Sequence, residues 1–247
     1  MLSSDFRKIA RRKLEGKWGN AVCILLAYML VSFIISIIEK IAPETGIIAF
    51  ILSVVVLIIE IPLSFGIIYA FFKLFHGEEV KAFSFWSLGF DNFRRAWGVA
   101  FRIILKLAIP IILIILAYIL MSISIVQSAT SIITGSSSSS GLLALLAFIL
   151  IIVASIWGTV KSFYYVLAEF VAFDNPNLTP SECVLKSQEL MTNRRGKFFF
   201  LQLSFIGWII LATFTFGIGL LCLIPYMQLA TIAFYDFYAH DKKDEIE

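Results

Sequence analysis

The chain has little with which to do polar chemistry. Its 247 residues include two histidines and three cysteines. Cys23, Cys183 and Cys222 show no CxxC spacing, which argues against a disulfide framework or a thiolate metal site. No HExxH, GxSxG or phosphate-binding glycine loop accompanies His76 and His240. Charge is scarce as well: Asp, Glu, Lys and Arg make up 15% of the residues against 60% hydrophobic, and the mean hydropathy is +0.94. Residues 107–160 and 198–235 carry no charged side chain at all. That composition excludes an ordinary soluble domain. It implies a polytopic, all-α membrane protein, without enzymatic activity and needing no cofactor or metal.

A bilayer core takes about 20 apolar residues per helix, so a long uncharged run broken by a small turn reads as two spans. Six spans follow, at about residues 19–38, 46–72, 107–126, 142–160, 198–214 and 217–235, in one integral membrane domain covering 1–247. The first has the basic flank of a signal peptide, but its apolar run is too long for one and no small-residue cleavage site follows, so it is expected to be retained. The second is overlong and holds Glu60 and Pro62, which predicts a tilt or kink. A glycine–serine linker at 135–141 joins spans three and four.

The cations give the orientation. With the N-terminus inside, six spans return the C-terminus to the same side, and all of the 20 Lys and Arg residues except Lys40 fall at cytoplasmic ends or loops. The expected location is the plasma membrane of a bacterium, with both termini cytoplasmic. Lys106 and Lys161 stand about one bilayer thickness from the outer loop of an antiparallel hairpin. They mark its inner boundary at a common depth, and Lys197 marks that boundary for span five.

The segments between spans are amphipathic. Residues 2–18 place Phe6, Ile9, Ala10, Leu14 and Trp18 on one helical stripe, with Arg7, Lys8, Arg11, Arg12, Lys13 and Lys17 around it. This basic helix is suited to the surface of an anionic inner leaflet. Residues 83–106 combine dense aromatics with Arg94 and Arg95, as in an interfacial elbow; the bilayer accounts for these residues, and nucleic-acid binding is not expected. Thr179-Pro180-Ser181-Glu182 is a capping box that starts a cytoplasmic helix over 179–192. The face formed by Cys183, Val184, Ser187, Leu190 and Met191 packs under the spans or docks a protein partner. The apolar run continuing to Phe173 extends helix four below the acyl region, with Glu169 facing Arg102 or Lys106.

Glu60 is the one ionisable group well inside an apolar run, and an intramembrane carboxylate is a functional candidate by default. Pro62 frees backbone carbonyls near residue 58, so Glu60, Pro62 and the corresponding Pro225 together form a candidate proton or cation site. The competing reading is a kink beside the inner interface. Gln202 and Gln228 are expected to hydrogen-bond between helices. There is also an internal echo: Ile61-Pro62 with Ala70-Phe71 matches Ile224-Pro225 with Ala233-Phe234 at the same offsets. It places spans two and six in the same direction, as parallel repeats would.

Arg11 to Trp18, Leu190-Met191, Gly196-Lys197-Phe198, Leu203 to Trp208, Gly217-Ile218-Gly219, Pro225-Tyr226 and Phe234-Tyr235 resemble the bacterial integral membrane family catalogued as domain of unknown function 975. The resemblance covers nearly the whole chain. It implies a membrane protein of a family found largely in Gram-positive bacteria, distantly similar to the membrane portions of some glycerophosphodiester phosphodiesterases. No catalytic residues carry over, and no soluble phosphodiesterase domain is expected. The expected role is a membrane accessory or regulator acting through its amphipathic helices; the alternative is a small transporter or lipid-handling permease centred on Glu60 and the proline-kinked spans.

Overall fold

A computed structural model describes residues 2–41, 46–134 and 140–240. Most of the glycine–serine linker, the turn before span two and the tail beyond 240 lie outside the described residues. The regular structure described is all helical: α1 (Ser3–Leu14), α2 (Trp18–Ile41), α3 (Ile47–Phe75), α4 (Ser84–Asp91), α5 (Phe93–Thr134), α6 (Ser140–Ser162), α7 (Ala168–Asp174), α8 (Pro180–Met191), α9 (Arg195–Leu203), α10 (Ile206–Phe214) and α11 (Ile218–His240). Six stretches are long and apolar enough to cross a membrane: α2, α3, α5, α6, α9 with α10, and α11. The chain is a multi-pass membrane protein, divided into two compact units, Met1–Ala100 with Leu167–Glu247 and Phe101–Val166.

The smaller unit is a hairpin of α6 and most of α5. Its buried helical residues are small or cyclic: Pro110, Ala117 and Ser124 recur every seven residues on α5, and Ala147 and Ala154 do the same on α6. Small side chains at that spacing let two helices approach closely in lipid, where packing rather than water exclusion drives association. Pro110 lies against Gly158. These two residues are four after Lys106 and three before Lys161, so both lysines stand at nearly one level of the hairpin.

In the larger unit, α3 changes character at Pro62. Ile47, Phe50, Ile51 and Leu57 are exposed, whereas Leu63, Phe65, Ala70, Phe71 and Phe75 are buried. α11 divides the same way at Pro225, with Ile218 exposed and residues 229–235 buried. The buried halves form the core of a cap, surrounded by α1, α4, α7 and the start of α2. Half of the apolar stretch of α11 is buried, against 11% in α5 and in α6. α3 and α11 run in the same direction, since Phe72 meets Tyr235 at 6.3 Å and His76 meets Asp236. That is the direction the internal echo implies.

Several boundaries move. Residues 2–18 are not one helix: α1 ends at Leu14, and Gly16, in the left-handed region at φ +76°, turns the chain into α2. The apolar α1 stripe packs against protein. Phe6, Ala10 and Leu14 are buried, and the Phe6 ring packs on Phe234 and Phe237 of α11 at 5.2 and 5.9 Å. The elbow at 83–106 resolves into α4 and the first turns of α5, which begins fourteen residues earlier than the predicted span. Helix four does not continue to Phe173; turns at 163–167 separate α6 from α7. Span five is broken at Ser204-Phe205 into α9 and α10. The helix over 179–192 starts as predicted: the Thr179 hydroxyl accepts from the Glu182 N–H at 3.3 Å, and the Glu182 carboxylate accepts from the Thr179 N–H at 2.7 Å. The Thr179 N–H also holds the Glu182 carboxyl below its ordinary pKa.

Candidate functional site

α3 ends at the cap with His76, where Gly77 takes φ +95°. The His76 Nδ1 lies 2.9 Å from the Phe72 carbonyl, which can only accept, so that nitrogen carries the proton. Nε2 then faces Asp236 Oδ1 of α11 at 3.6 Å, an attraction that exists only when the ring is doubly protonated. The Asp236 carboxylate accordingly raises the His76 pKa above its ordinary 6.5, with burial opposing it.

Asp236 is shared. One helical turn on, His240 Nδ1 stands 3.2 Å from the same Oδ1, and its Nε2 reaches Asp174 Oδ2 of α7 at 3.4 Å. Asp174 Oδ2 also accepts the hydroxyl proton of the buried Tyr235 at 2.9 Å. The result is a continuous chain, His76–Asp236–His240–Asp174–Tyr235, clasping the ends of α3, α7 and α11. Lys13 of α1 adds its charge from above the Phe75 ring, 4.9 Å away, where it acts on both His76 and Asp236. Within it, protonation of His76 strengthens the tie between α3 and α11. Among the described residues, no group of three or more His, Cys, Asp or Glu has the geometry to hold a metal ion.

Sequence reading found neither the clasp nor its members as a set. The echo between spans held the signal: its offset of 163 residues maps His76 onto Ala239, next to His240. Nearby, Glu169 at the start of α7 is half-buried, and desolvation pushes its carboxyl up to about 7.

The intramembrane candidates do not converge. Pro62 and Pro225 are buried, whereas Glu60 is exposed on α3, with no ion pair among the described residues. The carbonyl that Pro62 frees, that of Ile58, accepts from the Trp97 indole N–H at 3.4 Å, so the cation ligand expected there already has a protein donor. Gln202 donates to the Thr231 hydroxyl of α11 at 3.4 Å, an interhelical bond as predicted.

The cations named from the sequence divide into two kinds. Lys8, Arg11, Arg12, Arg94 and Lys106 are exposed; Arg7 and Lys17 are half-buried. Lys161 lies over the Trp157 ring at 5.0 Å and Lys197 over Tyr238 at 5.7 Å. Arg95 is a clamp: its guanidinium donates to the Pro176 and Asn175 carbonyls between α7 and α8 and approaches Cys183 Sγ at 3.7 Å. That site, with burial as the main cause, leaves the Cys183 thiol pKa above its ordinary value. The α8 face of Cys183, Val184, Ser187, Leu190 and Met191 is buried within the protein, while Leu185 remains exposed.

No curated protein and no solved structure matches the chain. A family model, Protein of unknown function (DUF975), does match it over residues 1–240, and the chain belongs to that family.

Proposed function

We propose that the protein is a non-enzymatic accessory or regulator of a bacterial plasma membrane, with both termini and the cap in the cytoplasm. The carrying observation is where the polar organisation lies. The His–Asp–Tyr clasp ties three helices at the cap, whereas Glu60, the carboxylate within an apolar span, is exposed rather than enclosed by helices. A transporter coupled to protons or ions needs such a group inside its path. Glu60 faces outward, and the carbonyl beside it is already bonded to Trp97. The working surface is therefore the cap, and its partner-facing element is the outer side of α8, where Leu185 stands exposed between Glu182 and Glu189.

Two variants separate this reading from transport. Mild-detergent purification of the full chain is expected to bring down a stoichiometric protein partner, which Leu185→Glu releases and Glu60→Gln leaves in place. Proton-coupled uptake in reconstituted vesicles, abolished by Glu60→Gln at unchanged expression, would overturn it.

A further inference from the structure

A groove of about 560 Å³ opens between α1, α2, α10 and α11. Its apolar length is walled by Trp208, Leu211 and Ala212 of α10 and by Cys222 and Leu223 of α11; its other end is closed by Trp18, Tyr226 and Arg11. Arg11 is the single charged residue of the lining, and no carboxylate lines it. The volume lies in the range of roughly 300–1,000 Å³ typical of sites for small ligands.

The polar end is built rather than incidental. Burial of Phe6, Ala10 and Leu14 fixes α1, and with it the direction of Arg7 and Arg11. Arg7 donates to the Ser204 carbonyl at 3.4 Å, at the break between α9 and α10, while its Nε is buried with no hydrogen-bond partner. Arg11 and Tyr226 both line the groove. The Tyr226 ring in turn packs against Trp18 at 6.3 Å and Phe205 at 5.3 Å. Arg7 thus pins α1 against the α9–α10 break, leaving Arg11 as the cation that faces the groove. An exposed arginine beside a tryptophan–tyrosine pair, at the end of an apolar slot walled by membrane-spanning helices and free of carboxylates, matches one kind of molecule in charge and polarity: an anionic phospholipid, headgroup at Arg11 and chain in the slot.

We propose that this groove is a binding site for one phospholipid with an anionic headgroup. Native mass spectrometry of the full chain tests it, after extraction from mixed vesicles of phosphatidylcholine and phosphatidylglycerol. Wild-type protein is expected to keep one phosphatidylglycerol in preference to phosphatidylcholine. Arg11→Gln, an exposed position whose loss leaves the α1 packing intact, lowers that retention by about fivefold, as removal of one cation near a headgroup predicts. Cys222→Trp, which fills the slot and keeps Arg11, lowers retention of either lipid; Leu211→Trp replaces it should the first variant not fold. Equal retention of the two lipids by wild-type protein, or unchanged phosphatidylglycerol retention in Arg11→Gln, would sink the proposal.

Discussion

His76 shows how one residue can carry a pH dependence for the cap. Its proton is held more tightly in the folded protein than in the unfolded chain, because Asp236 stands opposite. Such a group stabilises the fold fully below the ordinary histidine pKa of about 6.5, and the contribution is lost as pH rises through the higher folded value. Glu169 acts in the same direction at lower pH: its stabilising effect is complete below 4.5 and is gone beyond about 7. Melting of the purified protein followed against pH should therefore fall from about pH 4.5 to mildly alkaline conditions, above the range in which Glu182 titrates. Glu169→Gln flattens the acid part and His76→Gln the alkaline part; a profile that neither variant changes contradicts this account. None of it was legible in composition, because His76 and Asp236 are far apart in the chain. Only the parallel course of α3 and α11 makes them neighbours.

At the scale of elements, legibility followed the strength of the local signal. The start of α8 could be read because capping is local: Thr179, Pro180 and Glu182 carry it within four positions. The break at Ser204-Phe205 could not, since neither glycine nor proline marks it; the Ser204 carbonyl is instead met by Arg7 from the far end of the chain. The crossing of α3 and α4 was hidden for a similar reason. Gly66 and Gly89 are unremarkable in sequence, yet a methyl added at Gly89 would overlap the Pro62 carbonyl oxygen, and one at Gly66 would overlap the backbone of Phe85. Only glycine permits that approach. Gly89→Ala is thus expected to cost about 1–3 kcal/mol through overpacking, measured as a lower melting temperature, whereas Gly207→Ala, with open space around it, should change little. Equal effects of the two would show that the α3–α4 crossing yields to the added methyl.

For the molecule as a whole, four spans were readable from the two charge gaps and two more from apolar length, because lipid imposes a length and a composition on every helix that crosses it. The cap was not, because protein and lipid interiors select the same apolar residues. α3 passes through both environments: Phe50 is 70% exposed and Phe71 is 1% exposed on one continuous helix. Truncating them should separate the two. Phe71→Ala is expected to destabilise by about 3–5 kcal/mol and Phe50→Ala by well under 1 kcal/mol, read from thermal unfolding in one detergent. Comparable losses would mean that the two halves of the helix share one packing environment.

The hairpin of α5 and α6 extends that contrast. Along its seam, the buried positions among the described helical residues are proline, alanine and serine, and Gly158 lies beside Pro110. Such a seam sets how near the helices come but gives little resistance to one sliding or rocking on the other. Many of its large side chains, Ile112, Ile115, Leu116, Leu145 and Leu146 among them, are exposed to the surrounding acyl chains, so the stiffness of this arm depends on the bilayer as well as on the polypeptide. A softer or more fluid membrane makes a softer arm, with no change in the protein's own contacts.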